Sequence, residues 1–181
     1  MMASLEKELK KSIRTIKNYP MKGVSFKDLT TLWKDGKLTR RVNDTLARHY
    51  KGRGIEKVVG IEARGFIVGA PLADKLGVGF VPARKVGKLP SKKLSVEYEL
   101  EYGKQGLQIH SDGISKGDRV LIVDDLLATG GTSTAAGTLV ERLGGQVVGF
   151  AFVAELGYLN PRKNLVGYDV MSLVTYDSED E

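Results

Sequence analysis

The 181-residue chain contains no cysteine and only two histidines. Without cysteine, neither a disulfide framework nor a cysteine-ligated metal site is possible. Because disulfides mark oxidising compartments, their absence fits a reducing one, and we expect a cytoplasmic protein. No apolar run approaches the roughly 18 residues that a membrane span needs, and the first eleven residues are charged rather than signal-like. We therefore expect neither a membrane span nor a secretory leader.

The composition is otherwise ordinary, with 41% hydrophobic and 28% charged residues, as in a soluble globular protein. The length suits one domain covering residues 1–181, and no repeat or low-complexity linker divides it. The formal net charge of +6 would suit a nucleic-acid binder, but the basic residues are scattered and no aromatic platform lies among them. Because a positive site also attracts a small polyanion, we expect that class of ligand and no nucleic acid.

Short apolar runs alternate with stretches of helical periodicity. We predict strands near residues 57–61, 79–83, 119–123, 146–154 and 169–174. This alternation predicts an α/β fold with a mainly parallel five-stranded sheet flanked by helices. Right-handed crossovers then bring the loops that follow the strands to one edge of the sheet. A helix is predicted over residues 4–17, and the acidic tail, residues 177–181, is expected to fray.

The stretch RVLIVDDLLATGGTST, residues 119–134, is the most informative. An apolar strand is followed by Asp124 and Asp125, then by a glycine turn and the start of a helix. Backbone N–H groups and the helix dipole at such a turn can hold a phosphate. The carboxylates cannot bind that anion, but they can accept hydrogen bonds from ribose hydroxyls nearby. We predict a site for a 5-phosphorylated ribose, with the phosphate at Ala128, Thr129, Gly130, Gly131 and Thr132.

The alternative is a tight strand-to-helix turn in which Asp and Thr residues only cap backbone groups. The turn is not a Walker loop, because no Gly-Lys-[Ser/Thr] follows the glycines, and its glycines do not have the spacing of a GxGxxG motif. The apolar strand and the two acids attached to the turn favour the phosphate site over a simple cap.

Two other positions have the chemistry of a binding site. Arg64 lies in an Arg-Gly turn between a predicted strand and a helix, which makes an anion site with a guanidinium; the alternative is an arginine on a solvated loop. Phe26 follows a Pro and a Gly and is flanked by charges. It can stack on a flat base while neighbouring backbone groups contact the base edge, or it can be a core aromatic in a short strand.

Residues 85–106 are predicted to form a long loop or hairpin that can close over a site. Basic residues crowd its start, and Gly87 and Pro90 forbid a simple helix there. The alternative is a solvated charged loop. Three glutamates alternate at positions 97, 99 and 101, and spacing alone does not choose a catalytic group among them.

The segment VLIVDDLLATGGTS resembles the phosphoribosyl-pyrophosphate (PRPP) motif of type I phosphoribosyltransferases, and its DDLLATGGT form is similar to the adenine phosphoribosyltransferase family. Three further segments match that family in the same order. They are GVSFKD at 23–28, VGIEARGFIVGAPLA at 59–73, and RKVGKLP at 84–90 with LEYG at 100–103. The resemblance covers roughly residues 12 to 176.

The resemblance implies a type I phosphoribosyltransferase fold, with an N-terminal hood near residues 19–35 and a flexible catalytic loop near residues 85–106. It implies a homodimer that transfers the 5-phosphoribosyl group of PRPP to adenine, giving AMP and diphosphate. Mg²⁺ would be held mainly by substrate oxygens, without a direct protein ligand set. The rival hypotheses are a sister enzyme for hypoxanthine, guanine or xanthine, and a PRPP-sensing regulator without catalysis.

The same resemblance assigns roles to single residues. Glu101 would assist proton movement at the purine imidazole, and Tyr102 would help to seal the site. Arg64 and Arg84 would neutralise the charge that develops on the departing diphosphate. The implied diphosphate contacts are Ala63, Arg64, Arg84 and Lys88, and the implied adenine contacts are Ser25, Phe26 and Lys27. Family members commonly carry Arg at the position of Lys27, and a backbone contact there would survive the exchange.

Overall fold

The computed structural model describes residues 2–100, 103–179 and 181. The helices are α1 (Met2–Ser12), α2 (Thr30–Trp33), α3 (Gly36–Tyr50), α4 (Gly65–Leu76) and α5 (Gly131–Arg142). The strands are β1 (Arg14–Lys17), β2 (Ser25–Asp28), β3 (Lys57–Ile61), β4 (Gly79–Lys85), β5 (Lys93–Leu100), β6 (Gly103–His110), β7 (Arg119–Leu127), β8 (Gln146–Leu156) and β9 (Asp169–Tyr176). Two 3₁₀ turns, Gly157–Leu159 and Pro161–Asn164, connect β8 to β9.

The main sheet has the strand order β5-β6-β4-β3-β7-β8-β9. Five neighbouring strands of this sheet pair in parallel, namely β4, β3, β7, β8 and β9. This pairing confirms the predicted parallel sheet. The antiparallel hairpin β5–β6 extends the sheet beyond β4. Since the parallel strands share one direction, the turns after β3 and β7 open at the same edge.

The strand β7 shows why the sheet lies at the centre of the molecule. Its residues 120–123 are all fully buried. Val120 and Ile122 pack with the α5 side of the core, whereas Leu121 and Val123 pack with the side that α3 and α4 cover. A strand covered on both faces must be apolar at every position, which explains the continuous rather than alternating pattern.

A two-stranded antiparallel sheet, β1–β2, lies at the N-terminal end of the chain, in the region of the predicted hood, and is called the hood below. The predicted helix over residues 4–17 was therefore wrong for residues 13–17, because α1 ends at Ser12 and β1 begins at Arg14. Thr15 and Ile16 are β-branched and pair with Lys27 and Phe26 of β2. This two-stranded sheet begins at Arg14, before residue 19, where the resemblance places the start of the predicted hood.

Asp28 fastens this hood to the next helix. It accepts hydrogen bonds from the Thr30 hydroxyl at 2.6 Å and the Thr30 N–H at 3.0 Å, and it pairs with Arg14. The Thr30 hydroxyl, followed by Arg14, lowers the pKa of Asp28 to about 2. The carboxylate form therefore stabilises the fold at pH 7.

We expect Asp28→Asn to lower the free energy of unfolding by about 1–2 kcal/mol at pH 7. Because the folded-state pKa lies below the unfolded value of 3.8, the stabilisation is complete above that value and is lost as the pH falls through about 2. Denaturant titrations of both proteins at pH 7 and pH 3 measure it, with the exposed Asp112→Asn as control. A stability difference that does not shrink at pH 3 would contradict the assignment.

The last residue of the chain, Glu181, contacts α1, and the expected fraying of the tail stays a prediction. Glu181 Oε2 accepts a hydrogen bond from Asp177 N at 2.9 Å and lies 3.3 Å from Lys10 Nζ. These contacts place the tail against α1. Within residues 2–100, 103–179 and 181, no helix is both long enough and apolar enough to cross a bilayer.

Candidate active site

The predicted phosphate turn lies between the end of β7 and the start of α5. Gly130 has a φ of +86°, and a Cβ atom there would lie 2.9 Å from the carbonyl oxygen of Pro161, so only glycine fits. No side chain caps the N-terminus of α5, and the first helical hydrogen bond runs from Thr134 N to Gly130 O. The preceding amides are therefore available to an anion.

A neighbouring segment holds this turn in place. Asn164 Nδ2 donates to Thr129 O at 2.8 Å. Arg162, on the same 3₁₀ turn, donates two hydrogen bonds of 2.8 Å to the buried carboxylate of Glu155 at the end of β8. Burial opposes ionisation of Glu155, but Arg162 outweighs it and the pKa of Glu155 is lowered. Sequence reasoning missed this ion pair, because the spacing of seven residues carries no recognisable motif.

The predicted acidic pair lies at the end of β7, directly below the turn. Asp125 is only 1% exposed, Asp124 is half-buried, and Asp125 N donates to Asp124 Oδ1 at 2.8 Å. Burial raises the pKa of both carboxyl groups. The charge of Asp125 raises the pKa of Asp124 further, whereas the Arg64 guanidinium opposes the rise at Asp125. Hydrogen-bond donors or a cation arriving at this pair would relieve the cost of its ionisation.

Arg64 meets the acidic pair from the turn between β3 and α4. Its Nε lies 2.7 Å from Asp125 Oδ2. This contact is an ion pair without the alignment of a hydrogen bond, so Asp125 Oδ2 accepts none from the described part of the chain. Gly65 permits the approach, because a Cβ there would lie 2.8 Å from Val123 O. The Arg64 side chain remains 40% exposed and therefore accessible to a ligand.

Arg84 is held beside the same turn by Glu62. Arg84 Nε and Nη2 donate to the two Glu62 oxygens at 3.2 and 3.3 Å, and Lys85 N donates to Glu62 Oε2 at 2.9 Å. Burial opposes ionisation of Glu62, but these donors outweigh it and lower its pKa. Arg84 Nη1 also donates to the carbonyl oxygen of Lys88 at 3.0 Å, while Lys88 itself is exposed. Glu62 thus orients Arg84, as an ion-pair partner in a loop would.

The hood brings Phe26 to this group of charges. The Arg64 guanidinium carbon lies 5.5 Å from the centre of the Phe26 ring, and the Tyr19 ring meets Phe26 edge-on at 5.3 Å. Phe26 is half-buried, so it is not the core aromatic of the alternative interpretation. Three stretches that are distant in sequence, those of Phe26, Arg64 and Asp125, therefore meet at one place.

The Lys27 side chain points elsewhere. It is 0% exposed, and its Nζ donates to Thr15 Oγ1 at 3.0 Å and lies 4.2 Å from the centre of the Tyr176 ring. Neighbouring residues of a strand face opposite sides, so Lys27 points away from Phe26. Any contact of Lys27 with a base at Phe26 would therefore involve its main chain. Sequence reasoning missed this burial, because lysine is normally exposed.

Much of the segment predicted as a loop or hairpin over residues 85–106 lies in the antiparallel strands β5 and β6, and its closure over a site stays a prediction. Glu101 and Tyr102 lie outside the described residues. On β5, Tyr98 was missed as a site residue; Thr132 Oγ1 of the phosphate turn donates to its hydroxyl at 3.3 Å. The period-two pattern of Leu94, Val96 and Tyr98 is the signal that would have found it.

Comparisons with known proteins show the family to which the chain belongs. Residues 31–173 match the family model described as phosphoribosyl transferase domain. An adenine phosphoribosyltransferase of Clostridium botulinum is 57% identical over 169 residues, which cover 93% of this chain and 98% of the relative. The crystal structure of adenine phosphoribosyltransferase from Thermoanaerobacter pseudethanolicus superposes with a TM-score of 0.91 at 52% identity, covering 94% of this chain and 99% of that one.

A structure from Saccharomyces cerevisiae, an adenine phosphoribosyltransferase complexed with adenine and an imino-altritol bisphosphate, has a TM-score of 0.89 at 39% identity. It covers 94% of this chain and 99% of its own. Sequence identities of 39–57% over nearly the whole chain show a common family and not only a common fold. The chain belongs to the phosphoribosyltransferase family and, within it, to the adenine phosphoribosyltransferases.

Proposed function

We propose that this protein transfers the 5-phosphoribosyl group of PRPP to adenine, forming AMP and diphosphate. The observation that carries the proposal is the acidic pair Asp124–Asp125 between two anion sites. The uncapped α5 turn lies on one side of the pair, and Arg64 lies 2.7 Å from Asp125 on the other. PRPP has this pattern, with a phosphate at one end of a ribose and a diphosphate at the other.

Each part of PRPP has a partner in this arrangement. The 5-phosphate is proposed to bind the amides and hydroxyls of residues 128–132, and the ribose hydroxyls to donate to Asp124 and Asp125. The diphosphate would lie against the Ala63–Arg64 turn, Arg84 and Lys88. Its negative charge complements the guanidinium groups there, and the distant phosphate anchor helps to align the reacting carbon.

Mg²⁺ is a proposed cofactor, held mainly by oxygens of the substrate. Among the described residues, no three or more histidine, cysteine, aspartate or glutamate side chains form a group that could hold a metal ion by themselves. No direct protein ligand is proposed; the negative charge of Asp124 and Asp125 would attract the ion towards the substrate oxygens that hold it. When bound, Mg²⁺ neutralises charge on the diphosphate.

The transfer breaks the bond between C1′ and the diphosphate oxygen and forms the bond between C1′ and purine N9. Arg64 and Arg84 stabilise the charge that develops on the departing diphosphate. The carboxylates of Asp124 and Asp125 place negative charge near the ribose as it gains oxocarbenium character. A closed 85–106 segment would exclude water, which otherwise hydrolyses PRPP.

The adenine ring is proposed to stack on Phe26, with main-chain groups of Ser25 and Lys27 at its edge. Glu101 would handle the proton at the imidazole ring of the purine, and Tyr102 would help to close the site. The proposal also includes a homodimer and a cytoplasmic location, as the family resemblance and the cysteine-free chain indicate.

A panel of bases tests the proposed activity. The protein is incubated with PRPP, Mg²⁺ and adenine, hypoxanthine, guanine or xanthine, and the nucleotides formed are separated and quantified. We expect AMP to form at a kcat/KM at least about 100-fold above those for IMP, GMP and XMP, because a pocket that hydrogen-bonds one exocyclic group rejects its replacement. Preferred formation of a 6-oxopurine nucleotide would contradict the base assignment, and no turnover at all would favour the PRPP-sensing regulator.

A further inference from the structure

Tyr98 is placed beside the phosphate turn by the pairing of the hairpin. In β5, Leu94, Val96 and Tyr98 are half-buried and pack against the α5 side of the core, whereas Ser95 and Glu97 are exposed. The antiparallel register pairs each residue of β5 with a fixed partner on β6. Because a shift by one residue would turn Tyr98 outward, its position follows from the register rather than from local flexibility.

The Tyr98 hydroxyl belongs to a chain of hydrogen bonds that ends in the phosphate turn. Thr132 Oγ1 donates to the Tyr98 hydroxyl at 3.3 Å, and the Tyr98 hydroxyl donates to Gln105 Oε1 at 3.4 Å. Gln105 is the residue of β6 directly opposite Tyr98. Both distances lie at the long end of the hydrogen-bond range, so this chain is loosely made and can be rearranged at little cost.

A phosphate in the turn would reverse this chain. A hydroxyl donates one hydrogen and accepts through two lone pairs. A phosphate oxygen is a stronger acceptor than a neutral hydroxyl, so the Thr132 hydrogen turns to the phosphate. The lone pairs of Thr132 then face Tyr98, whose hydrogen can turn from Gln105 to Thr132. A donor that itself accepts a hydrogen bond is polarised and binds the anion more strongly.

We propose that Tyr98 is a positioning residue for the 5-phosphate, which acts by donating to the Thr132 hydroxyl and so strengthens the hydrogen bond from Thr132 to the phosphate. The inference rests on the proposed phosphate site. It also links phosphate binding to the hairpin that carries Tyr98, and Glu101 follows Tyr98 by three residues along the chain. Phosphate binding and docking of the hairpin on α5 then stabilise each other.

A double-mutant cycle with Tyr98→Phe and Thr132→Val tests the inference by calorimetric titration with AMP. We expect Tyr98→Phe to weaken AMP binding about 3- to 10-fold, the loss of one neutral hydrogen bond, and Thr132→Val to weaken it about 10-fold or more. In the Thr132→Val background, Tyr98→Phe should change the affinity less than about 2-fold, because the group through which it acts is gone. In steady-state kinetics, Tyr98→Phe should raise KM for PRPP and leave kcat and KM for adenine nearly unchanged.

The matched control is Tyr168→Phe. Its hydroxyl donates to Glu141 near the opposite end of α5 at 2.6 Å, and its removal should not change AMP affinity. Additive effects of Tyr98→Phe and Thr132→Val, or an unchanged AMP affinity in Tyr98→Phe while Thr132→Val weakens binding, would overturn the role of Tyr98 and leave the phosphate site intact. An unchanged affinity in Thr132→Val would instead contradict the phosphate site itself.

Discussion

Replacing Asp124 and Asp125 together by asparagine is expected to lower kcat/KM for PRPP by about 10²–10⁴-fold, since each hydrogen bond to a charged group contributes about 1.5–3 kcal/mol. Asparagine keeps the size of the side chains but removes both negative charges. It also presents N–H groups where ribose hydroxyls need acceptors, and it leaves the developing cation without a counter-charge. Steady-state kinetics with varied PRPP and saturating adenine measure the loss.

The stability of Asp124→Asn separates a functional loss from unfolding. Burial raises the folded-state pKa of Asp124 above the unfolded value of 3.8. Its ionisation therefore costs stability once the pH rises above that value, and the cost grows as the pH rises towards the folded-state pKa. We expect Asp124→Asn to be at least as stable as the native protein at pH 7, with a difference that shrinks towards pH 4. Near-native turnover of the double variant would contradict the role of the pair in ribose binding.

Glu101→Ala is expected to lower kcat by about 10²-fold, the usual contribution of a positioned acid–base group, and to weaken PRPP binding far less. The proton at the purine imidazole must be held or moved as N9 forms its new bond, and alanine cannot do either. Measuring kcat and the Kd for PRPP separately distinguishes this effect from a general loss of the hairpin.

Glu97 and Glu99 provide matched controls for Glu101, because they carry the same group and precede it in the sequence by four and two residues. We expect kcat of Glu97→Ala and Glu99→Ala to stay within about 3-fold of the native value, because the proposal gives neither residue a role in the reaction. An unchanged kcat in Glu101→Ala, or an equal fall in all three variants, would mean that another group handles the proton.

The parallel core was predictable because its signals are local. A β-branched run such as residues 120–123 marks a strand buried on both faces wherever it occurs, and alternation with helical stretches fixes the fold class. The glycine turn after β7 was predictable for the same reason, whereas its binding of a phosphate stays a prediction. The glycines, the flanking hydroxyls and the helix start lie within a few residues of one another, so the turn can be recognised before the fold is known; in the structure, Gly130 has a positive φ.

The remaining features depend on partners that are far away in sequence. Thr15 and Ile16 form a strand only because β2 lies beside them, so helical periodicity misassigned them. The burial of Lys27 requires Tyr176, and the place of Tyr98 requires the register of β5 with β6. Such pairings override local propensity, and the pattern along the chain does not record which distant residues become partners.

We expect the turn after β7 to bind the phosphate of a ribose that Asp124 and Asp125 hold. A crystal structure of the protein soaked with AMP would locate both groups. We expect the phosphate oxygens within about 2.7–3.2 Å of the amide nitrogens of residues 128–132, with the ribose hydroxyls at similar distances from the two carboxylates. A phosphate bound at any other place in the molecule, with this turn unoccupied, would contradict the account.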